Sequence, residues 1–316
     1  MFPLLSPPAG CAVCGLPSPV VLHVYPVNHN KLRATGQLNV ALVGCSRCGI
    51  VYAHPRPTEA ELAAYYSRPD GWDGRITEDE SEALRRVERL RRKHTADLDR
   101  LRAVTGLPEP SPGLPLRALD VGCGVGGWLS ALRAGGWDTY GIEPGSRAAA
   151  IAAREHTLLD GIPADSSFDL VILHHTLEHL RDPAATIREL AAALKPGGII
   201  WISVPNLETL GTHRDLDYMS SDKHVFTFTT ESIRSLLALA GIELVASSMD
   251  SSWPVQQPGW KRLIGVGVLR DGPLPLPDAP LEPALAAFAD YASGCAEPQP
   301  RPRPSTLRRL ARRLIR

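Results

Sequence analysis

The sequence predicts an α/β fold, a mostly parallel sheet with helices on both faces, preceded by a small cysteine-bearing module. Three observations carry this expectation. The apolar run Leu116, Ala118, Leu119, Val121 stops abruptly at Gly122, Gly124, Gly126 and Gly127. A helix-compatible stretch and a second apolar run ending on Glu143 follow at once. This is the strand, glycine turn, helix and strand of a nucleotide-binding unit. Near the N-terminus lie two CxxC pairs, a spacing that lets two thiolates reach one tetrahedral ion from a tight turn.

With 316 residues, the chain can hold one α/β core, a smaller module and a tail. We divide it into a metal-held module at 1–58, a helical segment and linker at 59–115, the α/β domain at 116–270, and a Pro/Arg-rich, partly disordered tail at 271–316. Lysine plus arginine equals aspartate plus glutamate, 34 each, so no global field draws nucleic acid or an anionic membrane. The hydrophobic content of 44% is that of a soluble globular protein. No apolar run reaches the roughly 18 residues a membrane span needs. The N-terminus MFPLLSPPAG has neither the basic lead nor the apolar core of a signal peptide. The expected compartment is cytoplasmic.

Glycines in such a turn let backbone N–H groups and a helix start approach a ligand. Gly122-Cys-Gly124-Val-Gly126-Gly127 satisfies GxGxxG, and Glu143 follows Gly122 by 21 residues, where a ribose-binding acid is expected. The glycines alone do not choose a cofactor. Asp120, two residues before the first glycine, separates the options. A carboxylate there repels a pyrophosphate but pairs with the ammonium of an amino-acid-bearing cofactor.

Asp120-Val-Gly122-Cys-Gly124-Val-Gly126 closely resembles the cofactor loop of class I S-adenosylmethionine-dependent methyltransferases. The resemblance implies a Rossmann-like methyltransferase sheet. It also implies a loop lying beneath the methionine part of S-adenosylmethionine, and Glu143 holding the ribose hydroxyls.

Cys11, Cys14, Cys45 and Cys48 form the two pairs, each followed by a glycine and separated by 30 residues. Four thiolates leave no open position on zinc, so the metal is expected to be structural rather than catalytic. Disulfides are the alternative, disfavoured without a secretory signal. Strands are expected at Val20 to Val27 and Leu38 to Val43, joined by the polar stretch Asn28 to Gly36. The result is a zinc ribbon, too small to bury a core without its metal. It carries few basic residues (Lys31, Arg33, Arg47, Arg56) and no aromatic-basic interleaving, so nucleic acid is not the expected partner.

The segment CSRCGIVYAHPRPTEAELAAYY resembles the N-terminal zinc-binding module of a group of bacterial methyltransferases, some of which act on nucleotide-linked sugars and other natural products. A short helix beginning at Pro57-Thr58-Glu59 ends in Tyr65 and Tyr66. In that group a tyrosine from the corresponding region lines the active site, so both are substrate-pocket candidates beside a plain packing role. Thr77-Glu-Asp-Glu80 reads as a capping box. Leu84, Val87, Leu90, His94, Leu98 and Leu101 then line one face of a long helix whose other face carries arginines. Leu107 to Pro115 is a proline-rich linker.

Arg147 to Arg154 reads as a helix and Phe168 to His174 as a buried strand. The connection Glu155 to Ser167 is short for the resembling family, which has another strand there. Asp160 or Ile162 stands in for its adenine contact. The run HxxxEHL from His174 to Leu180, then Asp182-Pro183, then Lys195-Pro-Gly-Gly198 resembles the same methyltransferases more specifically than the glycines do. There His175, Glu178 and His179 line the cofactor pocket and brace the next helix. A catalytic metal on His175 and His179 is the weaker alternative, because HExxH is absent.

Lys195 to Gly198 is expected to end a helix and lead into strand Ile199 to Val204. Asn206 to Asp222 reads as a substrate-covering loop. His224 precedes Val225-Phe-Thr-Phe228, and the resembling family places such a histidine at the pocket mouth. A neutral imidazole there would take a proton from a substrate hydroxyl or acidic carbon, or merely hold the lid. Thr229 caps a helix to Leu239. Ile242 to Ala246 and Leu263 to Leu269 close the sheet as an antiparallel pair, with Trp253 and Trp260 between them. Leu281 to Ala292 reads as a short helix. The seven arginines of 301–316 form a solubilising end or a weak membrane or anion contact.

The expected function is S-adenosylmethionine-dependent methyl transfer to an O, N or C atom of a small metabolite, a sugar, nucleotide-sugar or natural-product intermediate. The alternatives are an RNA methyltransferase touching RNA through the ribbon, and an NAD-binding oxidoreductase.

Overall fold

Among the described residues, two sheets organise the fold. The computed structural model describes residues 8–17, 19–26, 39–66, 76, 79–165, 167–213, 216, 224–249, 262–278 and 280–294. The polar stretch 28–36, Thr77, the tryptophans at 253 and 260 and the arginine-rich end at 301–316 lie outside the described residues.

The N-terminal module contributes β1 (Val20–Pro26), β2 (Asn39–Gly44) and β3 (Val51–His54), an antiparallel meander. The Cys45–Cys48 turn is the hairpin between β2 and β3. Helix α1 (Glu59–Tyr66) follows, with Thr58 and Glu61 capping its start reciprocally.

Helix α2 (Glu80–Thr105) begins on Asp79, whose side chain accepts from Glu82 N at 2.9 Å. The cap is therefore Asp79 rather than Thr77. The buried stripe also starts one residue early. Ala83 is buried while Leu84 is 51% exposed, because a one-residue step turns a side chain about 100° around a helix.

The second sheet is built from β4 (Arg117–Val121), β5 (Asp138–Ile142), β6 (Thr157–Leu158), β7 (Phe168–His174), β8 (Leu194–Pro205) and, after the short β9 (Phe226–Thr227), β10 (Ile242–Ser247) and β11 (Arg262–Leu269). Its order is β10-β11-β8-β7-β4-β5-β6. The pairs from β8 through β6 are parallel, and β11 joins β8 and β10 antiparallel. The reversed final pair expected at the end of the domain is thus present. The connection after α4 (Ser146–Ala152) keeps a two-residue strand, β6, on the edge of β5. β8 begins at Leu194, immediately after α5 (Pro183–Ala193), so Lys195 to Gly198 lies inside the strand rather than before it.

Alternation along the strands sorts the core into two layers. Ala118, Leu170, Ile172, Trp201, Ile264 and Val266 face Leu98 and Leu101 of α2 and Trp128 and Leu132 of α3 (Gly127–Ala134). Leu119, Val171, Leu173, Ile200 and Ile202 face Ile187 and Leu190 of α5 and Ile233 and Leu237 of α7 (Thr230–Ala238). The second cluster also contains Ala41, Val43, Ile50 and Tyr52 of the module.

The stretch after Asn206 is folded at its start. A 3-10 turn, Leu207–Thr209, leads into α6 (Leu210–His213), with Leu207 and Leu210 fully buried. Both pack in one cluster with Leu281, Ala284 and Phe288 of the segment at α8 (Glu282–Gly294) and with Leu42 of β2. Burial of these leucines is incompatible with a loose covering loop over 206–213. The helix expected near 281–292 is α8, held in that cluster rather than trailing from the fold.

Candidate functional site

β4 delivers Asp120 and Val121 to the glycine bend at the C-terminal edge of the parallel strands, the edge where ligands bind in open α/β sheets. Gly122, Gly124 and Gly126 take φ values of 77°, 56° and 84°, left-handed backbone that favours glycine. A Cβ at Gly122 would lie 2.4 Å from Thr176 Oγ1, and one at Gly126 would lie 2.9 Å from His156 Cδ2. The chain's own packing therefore demands glycine at both. Thr176 Oγ1 in turn donates to the Val121 carbonyl at 2.8 Å. No sequence signal marked Thr176.

Glu143 closes the bend from β5. Its carboxylate accepts from Gly124 N and from Gly145 N, both at 2.8 Å. Asp120 is 2% exposed, and its Oδ1 has no hydrogen-bond partner. Burial, reinforced by the Glu143 carboxylate, pushes the Asp120 carboxyl up to about 8. An orphaned acid oxygen beside a second acid is an incomplete electrostatic set, and a cationic ligand group completes it. The ammonium of S-adenosylmethionine fits that requirement; a pyrophosphate does not.

β7 ends on His174, and His175 follows it with the two rings 4.8 Å apart. Alternation sends His174 toward α2, where it meets the rings of His94 at 4.9 Å and Trp201 at 5.6 Å. Burial, with His175 and His94 nearby, holds His174 well below its ordinary value. His175 takes φ 55°, a strained conformation for a non-glycine residue, costing of order 1–3 kcal/mol. Its Nδ1 lies 3.0 Å from Glu178 Oε1.

Glu178 is fully buried in the 3-10 turn Leu177–His179. His179 Nε2 is 3.9 Å from Glu178 Oε1, and the His179 ring stands 4.8 Å from that of His224. Burial opposes the Glu178 charge. The His175 hydrogen bond and the His179 and His224 rings prevail and hold its carboxyl below the ordinary range. The expected motif thus assembles around Glu178, with His224 brought in from about 45 residues downstream and 6% exposed. Tyr66 stands edge-on to His179 with ring centroids 6.3 Å apart. The Tyr65 side chain lies outside the described residues.

The backbone around His224 ties this site to the cysteine module. β9 pairs antiparallel with β3, Val51 opposite Thr227 and Tyr52 opposite Phe226. The module's sheet therefore has the order β1-β2-β3-β9, its fourth strand coming from within 116–270. Sequence spacing carried no sign of this pairing.

Cys11, Cys14, Cys45 and Cys48 converge so that their sulfurs all lie within 4.8 Å of one another. Cys11 and Cys48 Sγ are 3.7 Å apart, and Cys14 and Cys45 Sγ 3.5 Å. Tetrahedral zinc with Zn–S bonds of about 2.3 Å sets its ligand sulfurs about 3.8 Å apart, so the donor set fits that ion.

Residues 85–247 match the methyltransferase domain family. The chain belongs to that family. The matched methyltransferase domain runs from within α2 to the last residue of β10, enclosing the glycine bend, Glu143, the Glu178 cluster and His224. Curated relatives include the ubiquinone biosynthesis O-methyltransferase of Bordetella avium, 34% identical over 104 residues, 28% of this chain and 43% of that protein. The enzyme of that name from Xanthomonas axonopodis pv. citri is 36% identical over 127 residues, 36% of this chain and 52% of that one. The chain spans about half the length, or less, of these relatives. Among solved structures, the S-adenosylmethionine dependent methyltransferase from Mesorhizobium loti is 20% identical, with 53% of this chain and 95% of that one covered at a TM-score of 0.43. Among the described residues, no helix is long and apolar enough to cross a membrane.

Proposed function

We propose that this methyltransferase moves the methyl group of S-adenosylmethionine to an O, N or C atom of a small metabolite. The names of the ubiquinone biosynthesis O-methyltransferases support oxygen as the acceptor atom. Sugar, nucleotide-sugar and natural-product intermediates remain the acceptor classes that the cysteine module favours by resemblance.

One observation carries the reading: the buried Asp120 carboxyl, its Oδ1 without a partner, beside Glu143. The sulfonium supplies an already activated methyl group, so the protein's work is alignment and exclusion of water. Asp120 takes the ammonium, the bend Gly122, Gly124 and Gly126 lies under the methionine part, Glu143 takes the ribose hydroxyls, and His175 lines the rim. His224 accepts the proton released by the acceptor, with the His179 ring and the Glu178 carboxylate behind it. Tyr66, against His179, lines the acceptor side, and Tyr65 is its neighbour in α1. Cys11, Cys14, Cys45 and Cys48 hold structural zinc, with all four positions filled by protein.

Calorimetric titration with S-adenosylhomocysteine tests the reading, with NAD titrated in parallel. Binding of the homocysteine compound and not NAD is expected. NAD binding alone, or salt-dependent RNA binding that requires the module, overturns it.

A further inference from the structure

We propose that Tyr52 is a positioning residue, coupling the four-cysteine site to the placement of His224. The proposal rests on the functional reading above and adds a role for the module beyond folding. Tyr52 lies in β3 and is 1% exposed. Its hydroxyl donates to the carbonyl of Gly10 at 3.3 Å, the residue just before Cys11. Its own strand starts only two residues beyond Gly49, the end of the Cys45–Cys48 turn, where Gly49 N donates to the Cys45 carbonyl at 2.8 Å and Cys45 N to that of Ile50 at 3.0 Å. Tyr52 is therefore tied to the segments that carry both halves of the thiol set, to one through its hydroxyl and to the other through its strand.

On its other side Tyr52 holds β9. Its backbone is opposite Phe226, and the two rings lie 5.8 Å apart. Next to it, Ala53 N donates to the Val225 carbonyl at 2.9 Å, while Val225 N donates to the Glu178 carbonyl at 2.8 Å. Residues 225 and 226 are thus clamped between β3 and the turn that carries Glu178 and His179. His224, adjacent to the clamp, has little freedom of its own. A metal drawing the four sulfurs together locks the hairpin and the Gly10 carbonyl in place. Without it, β3 can shift, and β9 shifts with β3. Displacement by about 1 Å is enough to cost on the order of 10²-fold in turnover.

Hydrogen exchange on the full chain tests the coupling independently of activity. Removing zinc with a chelator is expected to expose the amides of 225–227 as well as those of 45–53. Tyr52→Leu, with metal content unchanged, is expected to loosen 225–227 selectively. Tyr52→Phe, which keeps the ring and loses the Gly10 bond, is expected to fall between it and wild type. In turnover assays with an identified acceptor, Tyr52→Leu lowers kcat roughly 10- to 100-fold while affinity for S-adenosylhomocysteine stays within about twofold. Protection at 225–227 that survives both zinc removal and Tyr52→Leu overturns the coupling. A chain that shows the exchange changes but binds no S-adenosylhomocysteine would leave the coupling standing and remove the functional reading instead.

Discussion

Val225 and Glu178 are joined backbone to backbone, the amide of one donating to the carbonyl of the other at 2.8 Å. This single bond brings two parts of the chain together, so that His224 and His179 stand ring to ring over a buried carboxylate.

Glu178→Gln keeps the shape of that carboxylate and removes its charge. Turnover is expected to fall at least about tenfold, since His175, His179 and His224 lose the charge they surround. The pH dependence of stability gives a second readout. The folded Glu178 carboxyl lies below its unfolded value, so its contribution is present above roughly pH 4 and is lost as pH falls through the folded value. Acid unfolding of the variant, followed by circular dichroism, is expected to be less steep in that window.

Asp120 behaves oppositely. Its folded value of about 8 lies above the unfolded one, so the cofactor-free protein holds a proton there that the unfolded chain releases. Stability from this group is full below roughly pH 4 and is lost as pH rises toward about 8. Asp120→Asn is expected to flatten this slope in thermal melts. It is also expected to weaken S-adenosylhomocysteine binding by about 1.5–3 kcal/mol or more in calorimetry, the worth of a charged hydrogen bond. Unchanged affinity contradicts the cofactor assignment.

Gly122→Ala combines a left-handed φ of 77° with a contact 2.4 Å from Thr176 Oγ1. A loss of about 1–3 kcal/mol is expected in urea unfolding. Gly122→Ala combined with Thr176→Ala should recover the steric part alone, leaving the backbone cost in place. Full recovery would show that φ does not matter here.

Cys45→Ser removes one sulfur from the four-cysteine set. Metal analysis of the wild-type chain is expected to give about one zinc per chain, and the variant far less, with a lower melting temperature. Equal zinc in both refutes the assignment of these four thiols as the ligands.

Much of this arrangement is legible in the amino-acid sequence. The glycine bend, the acids at 120 and 143, the paired CxxC turns and the HxxxEHL run each announce themselves by residue type at short range, because backbone conformation and ligand chemistry restrict what can stand there. Capping at Asp79, the inward turn of Ala83 in place of Leu84 and the early start of β8 are less legible, since one-residue shifts change few local preferences. Tyr65 and Tyr66 are equal candidates in the sequence, and the contact of Tyr66 with the His179 ring is visible only in the fold.

The amino-acid order by itself determined the α/β class, the cysteine set, and the residue types available for a cationic ligand beside the bend. Tertiary structure alone decided that Phe226 and Thr227 complete the module's sheet, that α8 and α6 share a core with β2, and that Glu178 gathers three histidines. The physical reason is range. A two-residue strand has no periodicity to detect, and a buried carboxylate declares its partners only when distant segments close around it.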